Sequence, residues 1–134
     1  FSNVKFVMFG STLLEQELVK KFEMGLDNSD LVINLCGKTS IESLPKILKE
    51  IEVLVSNDTG TFHLAVALKV KTVSLFGPTD SRVYGPYQDL KLHRVIQANG
   101  EFVNYLPKKQ RSQEGMQIIS KDAVVNAVTN SLKV

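Results

Sequence analysis

The sequence predicts an α/β fold, with a mostly parallel sheet covered by helices on both faces. Short apolar runs alternate with stretches of helical periodicity along the 134 residues. The runs are continuously apolar, as in strands buried on both sides. Each run also ends in a small, polar turn rich in glycine, the pattern of βα units in a parallel sheet.

Val4–Phe9 is the first expected strand, ended by Gly10-Ser11. Thr12 and Glu15 have the spacing of a capping box, and Leu14, Leu18, Val19 and Phe22 recur at helical spacing behind it. Gly25 stands where that helix would stop. Leu31–Leu35 is the second strand, ended by Gly37. Thr39 and Glu42 suggest another capping box, opening a helix with Ile41, Leu44, Ile47, Leu48 and Ile51 on one face. Pro45 lies beyond the first turn of that helix and should kink it or delay its start. Val53–Ser56 and Thr72–Phe76 are the third and fourth strands, with a helix over Phe62–Leu68 between them. A long irregular stretch follows Gly77-Pro78, with a short strand expected at Arg94–Ile96 and a final helix from about Asp122 to Leu132. Ser120 or Lys121 would precede its first turn, and Asp122 suits the helix dipole.

Composition narrows the function. Hydrophobic residues at 43% and charged residues at 22% are ordinary for one globular domain, here residues 1–134. A net charge of +2 does not suggest a nucleic-acid partner or a strongly anionic membrane, and the cluster Lys108, Lys109 and Arg111 reads as a solvated loop. Cys36 is the single cysteine, so an internal disulfide is excluded and a reducing cytoplasm fits best. The longest apolar candidate, Leu64 to Phe76, is interrupted by Lys69 and Lys71 and falls short of the ~20 residues of a membrane span. Phe1 lies almost directly on a strand, which suggests that an N-terminal part is missing.

In parallel sheets, ligands bind beyond the carboxyl ends of the strands. Here those ends are Gly10-Ser11-Thr12, Gly37-Lys38-Thr39-Ser40, Asn57 through Thr61, and Gly77-Pro78-Thr79-Asp80. The third is the most informative. A strand that breaks at Gly60 and restarts as a helix directs free backbone N–H groups at one spot, which suits a diphosphate. Asp58, Thr59, Thr61 and His63 surround it. His63, in the first helical turn, is either a ligand contact or a half-buried histidine satisfied by a carbonyl. Asp58 would repel phosphate, so it is either a helix N-cap or an acceptor for sugar hydroxyls. Thr79 is a turn residue on the neighbouring strand end. Lys38 either balances ligand charge or is simply exposed, and His93 reads as structural or exposed. Gly37-Lys38-Thr39 resembles the end of a P-loop, but the required glycine five residues earlier is Val32, and the dinucleotide glycine fingerprint is absent. No metal or cofactor site is expected.

Asn57-Asp58-Thr59-Gly60-Thr61-Phe62-His63-Leu64-Ala65-Val66-Ala67, followed by Val73-Ser74-Leu75-Phe76-Gly77-Pro78-Thr79-Asp80, resembles the signature of the heptosyltransferase family of glycosyltransferases. Asn34 through Ile41 and Ile118-Ile119-Ser120 are similar to flanking parts of that family. The resemblance implies a Rossmann-like, donor-binding C-terminal half of a GT-B fold whose first strand–helix unit is missing. It implies transfer of a heptose-like sugar, with inversion and without an obligatory metal, from a nucleotide-diphosphate sugar such as an ADP-sugar to a lipopolysaccharide-type glycan. The glycolipid acceptor and the catalytic carboxylate would belong to a missing N-terminal domain. Asp58, Thr59, Gly60 and His63 would contact the donor, with Thr61, Lys38 and Thr79 nearby and Thr39 near the base or ribose. Glu15 is a candidate ribose contact in a segment that matches poorly. No catalytic residue is expected in this chain, although His63 could stabilise the departing diphosphate. The expected setting is cytoplasmic, with peripheral contact at the inner membrane. Alone, the chain should be catalytically silent, bind donor weakly or not at all, and self-associate through an exposed sheet edge. The alternative is a non-catalytic α/β binding or interaction module that retains the fold.

Overall fold

The computed structural model describes residues 4–27, 29–98 and 114–133. The chain divides into two compact units, Phe1–Leu44 and Pro45–Val134. The basic cluster at Lys108, Lys109 and Arg111 lies outside the described residues.

In the first unit, β1 (Phe6–Met8) and β2 (Val32–Asn34) form a parallel ladder in the register Phe6↔Val32, Val7↔Ile33, Met8↔Asn34. Both strands are shorter than the apolar runs suggest; β2 starts late because Leu31 is taken into a 3₁₀ turn over Ser29–Leu31. Helix α1 (Leu13–Met24) connects the two strands. Its capping box is complete: the Thr12 hydroxyl accepts from the Glu15 N–H at 3.2 Å, and the Glu15 carboxylate accepts from the Thr12 N–H at 2.8 Å. The same carboxylate accepts from the Ser11 N–H at 3.0 Å. These bonds favour its ionised form, holding the Glu15 pKa below the usual carboxylate value, with the Thr12 backbone the largest cause. The helical periodicity is real, yet α1 buries no residue, and Leu14 (66%), Leu18 (56%) and Phe22 (46%) stay exposed. Cys36 is buried and free, and burial raises its thiol pKa.

The second expected capping box does not form. Helix α2 spans Leu44–Glu50, and the turn before it is tied by Ser40 and Ser43, each hydroxyl accepting from the other residue's N–H. Pro45 accounts for the delay, since a proline lacking an N–H fits only the first turn.

In the second unit, β3 (Val53–Asn57), β4 (Lys71–Phe76) and β5 (His93–Gln97) form a parallel sheet in the order β3-β4-β5. Strand β4 is central and almost wholly buried. Side chains alternate across it. On one face, Phe76 packs against Phe62 and Val66 of α3 (Gly60–Ala67), the two phenyl rings meeting edge to face at 5.8 Å. On the other, Lys71 donates to the Ser131 carbonyl at 3.1 Å, and Arg94 to its hydroxyl at 3.2 Å, binding the last turn of α5 (Lys121–Leu132). Helices therefore cover both faces, as expected of this Rossmann-like pattern. Ser120 caps α5 through the Ala123 N–H. His93, on the first residue of β5, is buried, and its Nδ1 meets the Thr72 hydroxyl at 3.0 Å. Burial lowers its pKa.

The stretch after Gly77 is more regular than the sequence suggests. A short helix, α4 (Ser81–Tyr84), starts at Asp80, whose carboxylate caps it through the Arg82 N–H at 2.9 Å. A 3₁₀ turn over Leu90–Leu92 then leads into β5.

Candidate functional site

The candidate site lies at the carboxyl ends of β3, β4 and β5. Strand β3 ends at Asn57, and α3 starts at Gly60 after a two-residue turn. Thr59, not Asp58, is the N-cap, with an extended backbone (φ −140°, ψ 165°) and no side-chain bond to the helix. Its hydroxyl lies 3.1 Å from that of Ser56, which also donates to the Asn57 carbonyl at 3.0 Å. The capping threonine is thus turned toward the strand. The first amides of α3 keep the polarity that a helix N-terminus presents to an anion.

Asp58 is held from two sides. Its Oδ2 accepts from the Thr79 hydroxyl at 3.2 Å, and its Oδ1 lies 3.3 Å from His63 Nε2. Parallel pairing of β3 and β4 brings residues 21 apart in sequence into this contact. The Asp58 carboxylate sits largely inside, at 17% exposure, while the His63 ring is 41% exposed. A proton on Nε2 serves the contact, leaving Nδ1 as the second ring position. A carboxylate has about four acceptor positions, so two bonds leave room for hydroxyl donors. Asp58 is therefore not the N-cap, and this geometry suits the sugar-acceptor reading.

The glycines separate turn chemistry from open space. At Gly10, a Cβ would stand 2.9 Å from Glu15; at Gly77, 2.7 Å from the Met116 sulfur; at Gly85, against the Ser81 carbonyl oxygen. Gly37 has φ +71°, a left-handed conformation. Gly60 has neither constraint: its φ is not left-handed, and a Cβ there would meet nothing within 4 Å. Free space lies over the first residue of α3, where an anion would approach.

Beyond Thr79, Asp80 is forked by Arg82, with Nη2 on Oδ2 at 2.6 Å and Nε on Oδ1 at 2.9 Å. That hydrogen-bonded guanidinium holds the Asp80 carboxyl below its ordinary pKa. Gln97, the last residue of β5, donates to the carbonyls of Phe76, Gly77 and Thr79 and accepts from the Ser81 N–H. Neither Gln97 nor Asp80 is a site residue by sequence reasoning; the N-cap position of Asp80 was the available signal, and Gln97 carries none.

Asp58, Thr59, Gly60, Thr61, His63 and Thr79 all belong to the second unit, and the bonds above link Asp58, His63 and Thr79 directly. Lys38 and Thr39 belong to the first unit, where the Lys38 ammonium donates to the Asn34 carbonyl at 3.0 Å. Glu15 Oε2 is engaged in the capping box, accepting from the Ser11 and Thr12 N–H groups and the Thr12 hydroxyl.

Residues 2–111 match the model of glycosyltransferase family 9 (heptosyltransferase). Lipooligosaccharide heptosyltransferase 2 of Campylobacter jejuni is 36% identical over 84 residues, 62% of this chain and 26% of that protein. Lipopolysaccharide heptosyltransferase 1 of Pseudomonas aeruginosa is 37% identical over 79 residues, 59% of this chain and 21% of that protein. Among solved structures, a family 9 glycosyl transferase from Veillonella parvula superposes with a TM-score of 0.79 at 25% identity, covering 96% of this chain and 36% of that one. The Escherichia coli heptosyltransferase WaaC with ADP superposes with a TM-score of 0.75 at 25% identity, covering 97% of this chain and 35% of that one. The chain thus spans about a third or less of the length of these relatives. In sequence and in fold alike, this chain belongs to glycosyltransferase family 9, the heptosyltransferases.

Proposed function

We propose that residues 1–134 act as one donor-binding domain of a glycosyltransferase that moves a heptose-like sugar from an ADP-sugar to a lipopolysaccharide-type acceptor. The observation that carries this reading is the open space over Gly60 at an N-terminus whose capping threonine is turned away. The solved relative carrying ADP makes a nucleoside diphosphate the first ligand to test.

In this reading the diphosphate lies over the amides of Gly60 and Thr61, beside the hydroxyls of Thr59 and Thr61. His63, once doubly protonated, offers its second N–H to the phosphates as their charge develops. Asp58 uses its remaining acceptor positions for sugar hydroxyls, and Thr79 keeps that carboxylate in place. The acceptor and the base that activates it come from a further domain, because among the described residues the carboxylates here, Asp58 and Asp80, are held by Thr79 and His63 and by Arg82. This chain alone is therefore catalytically silent and binds donor weakly. Contact with the inner membrane belongs to the same proposal, through the glycolipid acceptor.

Calorimetry on the full-length protein with ADP, other nucleotides and their sugars tests the reading. Binding of ADP and an ADP-sugar supports it, and failure of every nucleotide to bind rejects it. Self-association through the exposed sheet edge is proposed separately, with Phe6 of β1 standing exposed. Sedimentation of this chain over a concentration series should show reversible dimers; a monomer throughout rejects that part.

A further inference from the structure

We infer that Gln97 is a positioning residue for the site: it fixes the shape of the loop after β4, and through Thr79 and Asp58 it sets the tautomer of His63. Gln97 stands at the carboxyl end of β5, in register with Phe76. Its side-chain nitrogen lies 3.2 Å from the Phe76 carbonyl oxygen, 3.1 Å from that of Gly77 and 3.2 Å from that of Thr79. The Ala98 carbonyl oxygen is 3.4 Å away. Its side-chain oxygen accepts from the Ser81 N–H at 2.9 Å. One side chain thus fastens the loop at its start, at Thr79 and at the first residue of α4.

The chemistry of the position is specific. The amide must present N–H groups to a cluster of carbonyl oxygens and an oxygen to a backbone N–H. Only one orientation does this, since the flipped amide would set oxygen against oxygen and N–H against N–H. Glutamate lacks the donors and methionine lacks both functions. Pro78 has no N–H to offer the loop, and a side chain added at Gly77 would meet Met116. The loop's conformation matters to the site because Thr79 donates to Asp58 Oδ2, and Asp58 Oδ1 then faces His63 Nε2. Freeing Thr79 lets the Asp58 carboxylate rotate, and the ring loses the partner that holds its proton on Nε2.

The inference concerns the ligand-free chain and rests on the donor-binding reading only for its importance to binding. The test is nitrogen NMR of this chain with labelled histidine and glutamine. In the wild type, the Gln97 side-chain N–H protons should exchange slowly, and His63 should show the pattern of the Nε2–H tautomer. Gln97→Met and Gln97→Glu should each shift His63 to a mixture of tautomers, and Thr79→Val should do the same. In the Thr79→Val background, Gln97→Met should add nothing, because both act through one path. His93, at the other end of β5 and bonded to Thr72, should keep its pattern throughout.

An unchanged His63 in the Gln97 variants overturns the inference. So does an equal change at His93, which would mean general loosening, or a full Gln97 effect in the Thr79→Val background. If the variants do not fold, the wild type decides: fast exchange of the Gln97 amide, or a mixed His63 tautomer, overturns it. ADP titration is scored apart, since absence of nucleotide binding sinks the proposed function and leaves these signals untouched.

Discussion

Replacing Gly60 with alanine separates folding from binding at the candidate site. Gly60 is the first residue of α3, its φ is not left-handed, and an added Cβ meets nothing within 4 Å. The folded chain therefore accepts the methyl group without strain, and the unfolded chain loses conformational freedom. Gly→Ala at such compatible positions stabilises by about 0.4–1 kcal/mol, a rise in Tm of roughly 2–6 °C for a chain of this size. A ligand phosphate packed against the helix start would meet that methyl group. Overfilling a packed contact costs about 1–3 kcal/mol, or a loss of about 5- to 150-fold in ADP affinity. Differential scanning calorimetry of this chain reads the first effect, and isothermal titration of the full-length protein with ADP reads the second. Stability up with affinity down is the expected combination. ADP affinity within twofold of wild type would show that no phosphate uses the space over Gly60, and a fall in Tm would show that the glycine serves the fold.

Asp58→Asn should leave ADP binding unchanged or tighter, since it removes a negative charge beside the phosphates, while an ADP-sugar loses about tenfold; equal losses for both ligands in titration would reject the sugar-acceptor role. Thr12→Ala should weaken α1 by about 1 kcal/mol, seen as faster hydrogen exchange over Leu13–Met24 with little change in α3. The Glu15 pKa is lowered in the folded state, so its contribution is present above the unfolded value of 4.5 and is lost as pH falls through the folded pKa; amide exchange of α1 followed from pH 6 to pH 3 checks this. The His93 pKa is also lowered, by burial, so the neutral ring is favoured in the fold, and stability should decline as pH drops from about 6.5 through the folded pKa. Thermal melts between pH 7 and pH 5 read that decline, which the paired substitution Thr72→Val with His93→Leu should reduce.

Local signals were legible in the sequence where chemistry acts over a few residues. The Thr12–Glu15 box, the Ser120 cap and the strand-breaking turn at Asn57–Gly60 all appear as their residue types and spacings suggest. The Thr39–Glu42 spacing was equally good as a pattern, but Pro45 moved the helix start and the serines took over the turn. The apolar stripe of α1 gave its periodicity and not its burial, because burial depends on what lies opposite. The sequence leaves Asp58 open between a helix cap and a hydroxyl acceptor, because Thr59, one residue on, has the same capping capability; the structure gives the N-cap to Thr59. The bond from Thr79 to Asp58 and the fastening of the loop by Gln97 need the parallel order β3-β4-β5, which no local motif encodes.

The polar network of the site is also short in chain distance. Its side-chain links span 5 residues from Asp58 to His63, 21 from Asp58 to Thr79 and 16 from Ser81 to Gln97. Closure entropy grows slowly with loop length, so links of this separation add little cost once the parallel strands have paired, and that pairing is the slow step. During synthesis the ribosome releases Asn57 to Gln97 as one uninterrupted stretch, so every partner in the network is available once Gln97 emerges. A stall after that residue would leave the network's hydrogen-bonding groups complete, whatever the order in which they pair.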